Sequence, residues 1–134
     1  MQFIRRHLPA FIILLITGAL LLYFSYKNEY SEGGPDNVWH YYFSRYAVSY
    51  PEFFLHHWGK PFFILLSTSF AQFGFYGLQI FNIVVGLTAA IVTYKFCEKL
   101  NLKFNWLSII LLLFTPLYFA MVQSGMTEPL MSLV

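Results

Sequence analysis

Glu128 is the only charged residue after Lys103, set in the otherwise uncharged run Gly125-Met126-Thr127-Glu128-Pro129-Leu130. A carboxylate is costly to hold in or near lipid, so an ionisable residue in such a run marks a functional site by default. Two kinds of chemistry are open to it. It can take the proton of an attacking hydroxyl as a general base. It can also share a hard divalent cation, Mg2+ or Mn2+, with a second carboxylate and water. Asp36, in Gly34-Pro35-Asp36-Asn37, is the second isolated acid. Arg45, Lys60, His56 and His57 are cations and donors that suit a phosphate. Each has a plainer role beside these. Asp36 precedes a helix, where Asp is a favoured N-cap. Glu128, between Thr127 as cap and Pro129, suits a first helical turn facing the positive end of the helix dipole. His56 and His57 are adjacent, which is poor spacing for a metal face on a helix, and suit interfacial packing. Arg45 and Lys60 also suit lipid headgroups.

Long apolar stretches must position these groups. The 134-residue chain is 58% hydrophobic and 10% charged, where a soluble domain carries about 25% charged residues. Leu8 to Tyr26, Pro61 to Tyr94 and Phe104 to Thr127 hold no charge. Each exceeds the roughly 18 residues that mark a crossing helix. The chain reads as an integral membrane protein, all-α and polytopic. Arg5 and Arg6 precede the first stretch as in a signal peptide, but its apolar part outruns the roughly 7–15 residues of a signal core, and no small-residue cleavage site follows. An uncleaved signal anchor is expected. The lone Cys97 admits no internal disulfide, and the net charge of +2 gives no reason to expect a nucleic-acid partner.

The positive-inside rule sets Arg5, Arg6, Lys95, Lys99 and Lys103 in the cytoplasm. The N-terminus is then cytoplasmic, and residues 27–60 lie outside, with Glu29, Glu32, Asp36 and Glu52 against Lys27, Arg45 and Lys60. The first crossing covers about 8–26. The stretch from Pro61 to Tyr94 is too long for one helix of about 20 residues, and two crossings would move the lysines outside. One interfacial helix over 61–73 and one crossing over about 75–94 satisfy both limits, with Gln72, Gly74 and Gly77 at the break. A third crossing follows over about 104–120, kinked by Pro116. Glu128 returns to the outer face, where a fourth crossing starts from about 127. Residues 1–134 are thus expected to be the N-terminal part of one transmembrane domain of a longer protein, inactive as a fragment.

The outer loop, extending over 27–73 with the interfacial helix, is dense in Trp, Tyr, Phe and His. After Pro35-Asp36-Asn37, the residues Val38, Trp39, Tyr42, Phe43 and Tyr46 recur at helical spacing, with His40, Tyr41, Ser44 and Arg45 on the other face. Pro51 interrupts the pattern, and a second segment runs to Pro61. Trp and Tyr at this density suit the headgroup level. Two short surface helices are expected between the first two crossings.

This order resembles the GT-C superfamily of integral-membrane glycosyltransferases, closest to the branch of protein mannosyltransferases and lipid A aminoarabinose transferases. That family has an acidic residue before a surface helix in its first outer loop, matched by Asp36. A Lys-Pro segment follows, matched by Lys60-Pro61, and an acidic residue opens the fourth crossing, matched by Glu128. Many relatives carry Asp-Glu where this chain has Asp36-Asn37. The resemblance implies a polyprenyl-phosphate sugar donor, a glycan, lipid or protein acceptor, and inverting transfer on the outer face of the plasma (inner) membrane. It implies Asp36 as the base, with Glu32 as rival. Glu128 would orient the acceptor or share a divalent cation with Asp36. Arg45, Lys60, His56 and His57 are the candidates for the leaving phosphate. Two rival readings remain. One is a transporter or flippase in which Glu128 pairs with a coupling ion, and it expects internal repeats. The other is a non-catalytic membrane protein, which needs no acid at either position.

Overall fold

The computed structural model describes residues 2–27 and 34–133, with side chains from His7 onward; Glu29 and Glu32 lie outside the described residues. Among the described residues every regular element is helical. They are α1 (Gln2–Lys27), α2 (Pro35–Tyr46), a 3-10 turn (Pro51–Leu55), α3 (Pro61–Ala71), α4 (Phe75–Lys99), α5 (Leu107–Leu113), α6 (Pro116–Gln123) and α7 (Glu128–Met131). Prolines set several of the starts. Pro35, Pro51, Pro61 and Pro116 each open an element, where the missing N–H removes a donor that has no intrahelical partner anyway.

Two helices are long and apolar enough to cross a membrane, His7–Lys27 within α1 and Phe75–Lys99. Their burial differs: 28% of the apolar window of α1 is buried, against 56% of that of α4. α4 is the hub. It packs against α1, α3, α5, α6 and α7. At one end Ala10, Ala90, Tyr94, Ile109 and Leu113 join α1, α4 and α5. At mid-length Leu21, Ile83 and Val122 join α1, α4 and α6. At the other end Phe63, Leu78, Phe81, Val85 and Leu130 join α3, α4 and α7. Gly77 permits the close approach of α3. A Cβ there would stand 2.0 Å from the carbonyl oxygen of Phe70. α1 is anchored to α4 at the first of these ends, where His7 Nδ1 lies 2.6 Å from the Tyr94 hydroxyl and Nε2 lies 3.7 Å from Glu98.

The expected single helix over 104–120 is instead two short helices, Leu107–Leu113 and Pro116–Gln123, each well short of a crossing length. The cause is local. Thr115 is extended, with φ −60 and ψ 121, because the ring of a following proline disfavours the helical conformation. Its hydroxyl turns back to the Leu111 carbonyl at 2.6 Å.

α2 forms where the periodicity places it, but with its sides reversed from the arrangement of a soluble helix. Asn37, His40, Phe43 and Ser44 are buried, while Val38, Trp39, Tyr42 and Tyr46 are exposed. The buried polar groups meet α3. Ser67 donates to the Phe63 carbonyl at 2.7 Å, so the 2.7 Å contact between Ser44 and Ser67 has Ser44 as donor. His40 lies against Phe63, and Phe43 and Ala47 pack on Ile64. The remaining stripe, largely aromatic, has the composition of a membrane-interface helix.

Candidate functional site

The site forms where the first turn of α2, the start of α3 and the segment joining α6 to α7 come together. Gly125 makes the approach possible. A Cβ there would lie 3.1 Å from Asn37 Cβ, 3.2 Å from the Asn37 carbonyl oxygen and 2.8 Å from Leu78. The segment after α6 leaves backbone carbonyls exposed to the protein interior, and such groups need donors. α4 provides them. Gln79 donates to the Gln123 carbonyl at 2.9 Å. The fully buried Asn82 donates to the carbonyls of Ser124 and Met126, the latter at 2.8 Å. This clamp fixes the corner that presents Glu128.

Asp36 is not the N-cap that its sequence position suggests, whereas Glu128 does lie in a first helical turn after Thr127. Gly34, with φ 69, takes the N-cap of α2, and Asp36 sits one residue inside Pro35, within the first turn. There its charge faces the positive end of the helix. Thr127 takes a helical conformation and makes no capping hydrogen bond. Its fully buried hydroxyl accepts a hydrogen bond from Lys60 Nζ instead. Lys60 itself is held in the left-handed region, with φ 55, at the start of α3. Glu128 opens α7, and its Oε2 is buried without a hydrogen-bond partner among the described residues.

His40 is the residue that links these groups. It is 4% exposed, and its Nδ1 is buried without a hydrogen-bond partner among the described residues. Burial, and after it the positive charge of Lys60, pushes its imidazole below the ordinary 6.5, while the charges of Glu128 and Asp36 pull the other way. His40 is therefore neutral at pH 7. As pH falls through 6.5 the unfolded chain takes up a proton that the folded protein resists. Stability is thus complete above 6.5 and declines below it, down to the folded value. Thermal unfolding in detergent between about pH 7.5 and about pH 5 should show this decline, and His40→Asn should lack it. Equal slopes in the two proteins would exclude His40 as the source.

The other sequence candidates are distributed differently. Arg45 donates to the carbonyls of Ala71 (3.3 Å) and Gln72, and Gln72 Nε2 donates back to the Arg45 carbonyl at 3.1 Å. The guanidinium thus covers the C-terminal end of α3. His56 is stacked between Phe43, at 4.3 Å between centroids, and His57, at 5.1 Å. Its Nδ1 is buried and lacks a hydrogen-bond partner among the described residues. A pocket of about 630 Å³ opens beside Asp36 and is walled by Trp39, Phe43, Phe53, His56 and Trp58.

The charges of Asp36, Lys60 and Glu128 all act on His40, whereas Arg45 is engaged at the end of α3. Among the described residues no group of three or more His, Cys, Asp or Glu side chains is placed to hold a metal ion. His40 and Asn82 were not among the sequence candidates. His40 carried one usable signal, a titratable group on the less apolar side of a helix whose aromatic side suits lipid. No protein-family model, curated protein or solved structure matches the chain.

Proposed function

We propose that the chain carries the outer-face site of an integral-membrane glycosyltransferase of the GT-C kind, moving a sugar from a polyprenyl-phosphate donor to an acceptor hydroxyl. The observation that supports it best is the convergence of Asp36 and Glu128, distant in sequence, on one buried histidine, with Lys60 tied to the residue before Glu128. In this reading the acceptor oxygen attacks the anomeric carbon while Asp36 takes its proton. The bond from that carbon to the phosphate oxygen breaks on the opposite face, and polyprenyl phosphate leaves with the electron pair. The configuration inverts. Glu128 orients the acceptor hydroxyl. Lys60 offers positive charge to the departing phosphate.

The membrane setting belongs to the same proposal. α1 and α4 cross the bilayer, and α5 and α6 together make a third, broken crossing. α2, the 3-10 turn and α3 lie along the outer interface. The lysines in the last turns of α4 and just after it, and the arginines near the N-terminus, favour the cytoplasmic side, in the plasma membrane.

The test is direct. The full-length protein in proteoliposomes should release polyprenyl phosphate from a polyprenyl-phosphate-linked hexose or pentose, in step with formation of a glycosylated product. Donors of both sugar classes left intact, in the presence of glycan, lipid and peptide acceptors, would overturn the reading.

A further inference from the structure

The pocket beside Asp36 has a composition that selects among acceptors. Its walls are rings held in place by one another. Trp39 stacks on Phe43 at 5.9 Å, Phe43 stacks on His56 at 4.3 Å, and Phe53 meets Phe43 edge-on at 5.3 Å. Trp58 completes the wall. Trp39 and Trp58 are each about half exposed (54% and 52%), so their faces are open to a ligand. The volume of about 630 Å³ is within the range of small-molecule sites, roughly 300–1,000 Å³. Polar side chains stand among the lining residues: Asp36, with its carboxylate, and Trp39 and Trp58, each with an indole N–H.

A ligand that satisfies all of these has a flat C–H face and hydroxyls around its edge. The electron-rich face of an indole attracts the positively polarised C–H bonds of such a ring. The carboxylate accepts from a hydroxyl, and the indole N–H groups can donate to others. An acyl chain would leave the Asp36 carboxylate desolvated without a partner. An alkylammonium would suit the rings and the carboxylate but would leave the indole N–H donors without an acceptor.

We infer that this pocket is a saccharide-binding subsite, and that the acceptor is a sugar unit whose ring stacks on Trp39 and Trp58 and turns one hydroxyl toward Asp36. The acceptor role rests on the glycosyl-transfer reading, whereas the binding site stands apart from it. The position explains why the proposed base is at the rim of an aromatic wall. It also gives the exposed tryptophans a task besides meeting lipid.

The experiment is saturation-transfer NMR on the full-length protein in a polyoxyethylene detergent, with methyl hexosides, methyl pentosides and maltotriose as probes and tetramethylammonium as the cationic control. Saturable transfer to the ring protons of at least one saccharide is expected. Trp39→Ala and Trp58→Ala should each weaken it about tenfold, while Trp39→Phe retains most of it. Both tryptophans are half exposed, so these variants keep the fold, and thermal melting verifies this. Asp36→Asn should bind within a few-fold of wild type while losing sugar transfer. Absence of transfer to every saccharide, binding of tetramethylammonium instead, or unchanged binding in both alanine variants would overturn the inference. If saccharides bind as expected but no donor is consumed, the enzyme reading fails and the binding site stands. If sugar is transferred to a lipid or peptide without saccharide binding, the opposite holds.

Discussion

Asp36→Asn and Glu128→Gln are each expected to lower sugar transfer by about 100- to 10,000-fold while leaving the protein folded. The amides keep the size of the acids and remove their capacity to take up a proton. The fold should tolerate both changes. Asp36 is not the cap of α2, so no capping bond is lost. Glu128 has an oxygen buried without a partner among the described residues, so an amide there forfeits no hydrogen bond through that atom. Both substitutions also remove a negative charge that favours protonated His40. The pH-dependent loss of stability should therefore still begin at 6.5 but extend to lower pH and become larger in both variants. Initial rates with a polyprenyl-phosphate sugar, read beside thermal melting, provide the check. Wild-type turnover in both variants would remove the catalytic assignment.

Asn82→Leu is expected to cost about 1–3 kcal/mol of stability, two orphaned carbonyls offset by the loss of one unpartnered oxygen, and to abolish transfer together with it. Asn82 is fully buried, and its side-chain amide donates to two carbonyls, those of Ser124 and Met126. A leucine fills the space and leaves both acceptors without that donor, while removing the Asn82 Oδ1 that is buried without a partner among the described residues. Each such orphan costs about 1–3 kcal/mol. The corner carrying Glu128 would then shift to find other partners. Gln79→Leu removes a donor from one carbonyl only and should cost about 1–3 kcal/mol. A melting temperature for Asn82→Leu equal to that of wild type would show that the clamp does not hold the corner.

The sequence patterns located the long elements well because length and absence of charge suffice for them. α1 and α4 lie where the uncharged stretches put them, and the prolines mark the starts of α2, α3 and α6. Three features were less legible, each for a physical reason. A helical period in α2 reveals two faces but not which medium each face meets, and the less apolar one turned inward. Pro116 announced a kink in the third apolar stretch, but the extended Thr115 ends a helix there. The charge of Arg45 suits a phosphate, yet its partners are the carbonyls that end α3, and backbone acceptors leave no mark in a sequence. The site was half legible. Asp36, Lys60 and Glu128 stood out by charge in apolar surroundings. His40 and Asn82 did not, because their roles depend on a contact between α2 and the α6–α7 corner that a single glycine allows.

The reversed sides of α2 have a consequence for where the proposed chemistry happens. A helix that turns His40 and Ser44 inward and Trp39, Tyr42 and Tyr46 outward is moored from beneath by protein and, in the proposed membrane setting, buoyed from outside by lipid. In the proposed bilayer setting its draught is set by headgroup spacing and acyl-chain length as much as by α3. Asp36 rides on the first turn of that float. The height at which the carboxylate meets the polyprenyl phosphate is then a joint property of chain and membrane, and bilayer thickness becomes a means of tuning the reaction without touching a residue of the site.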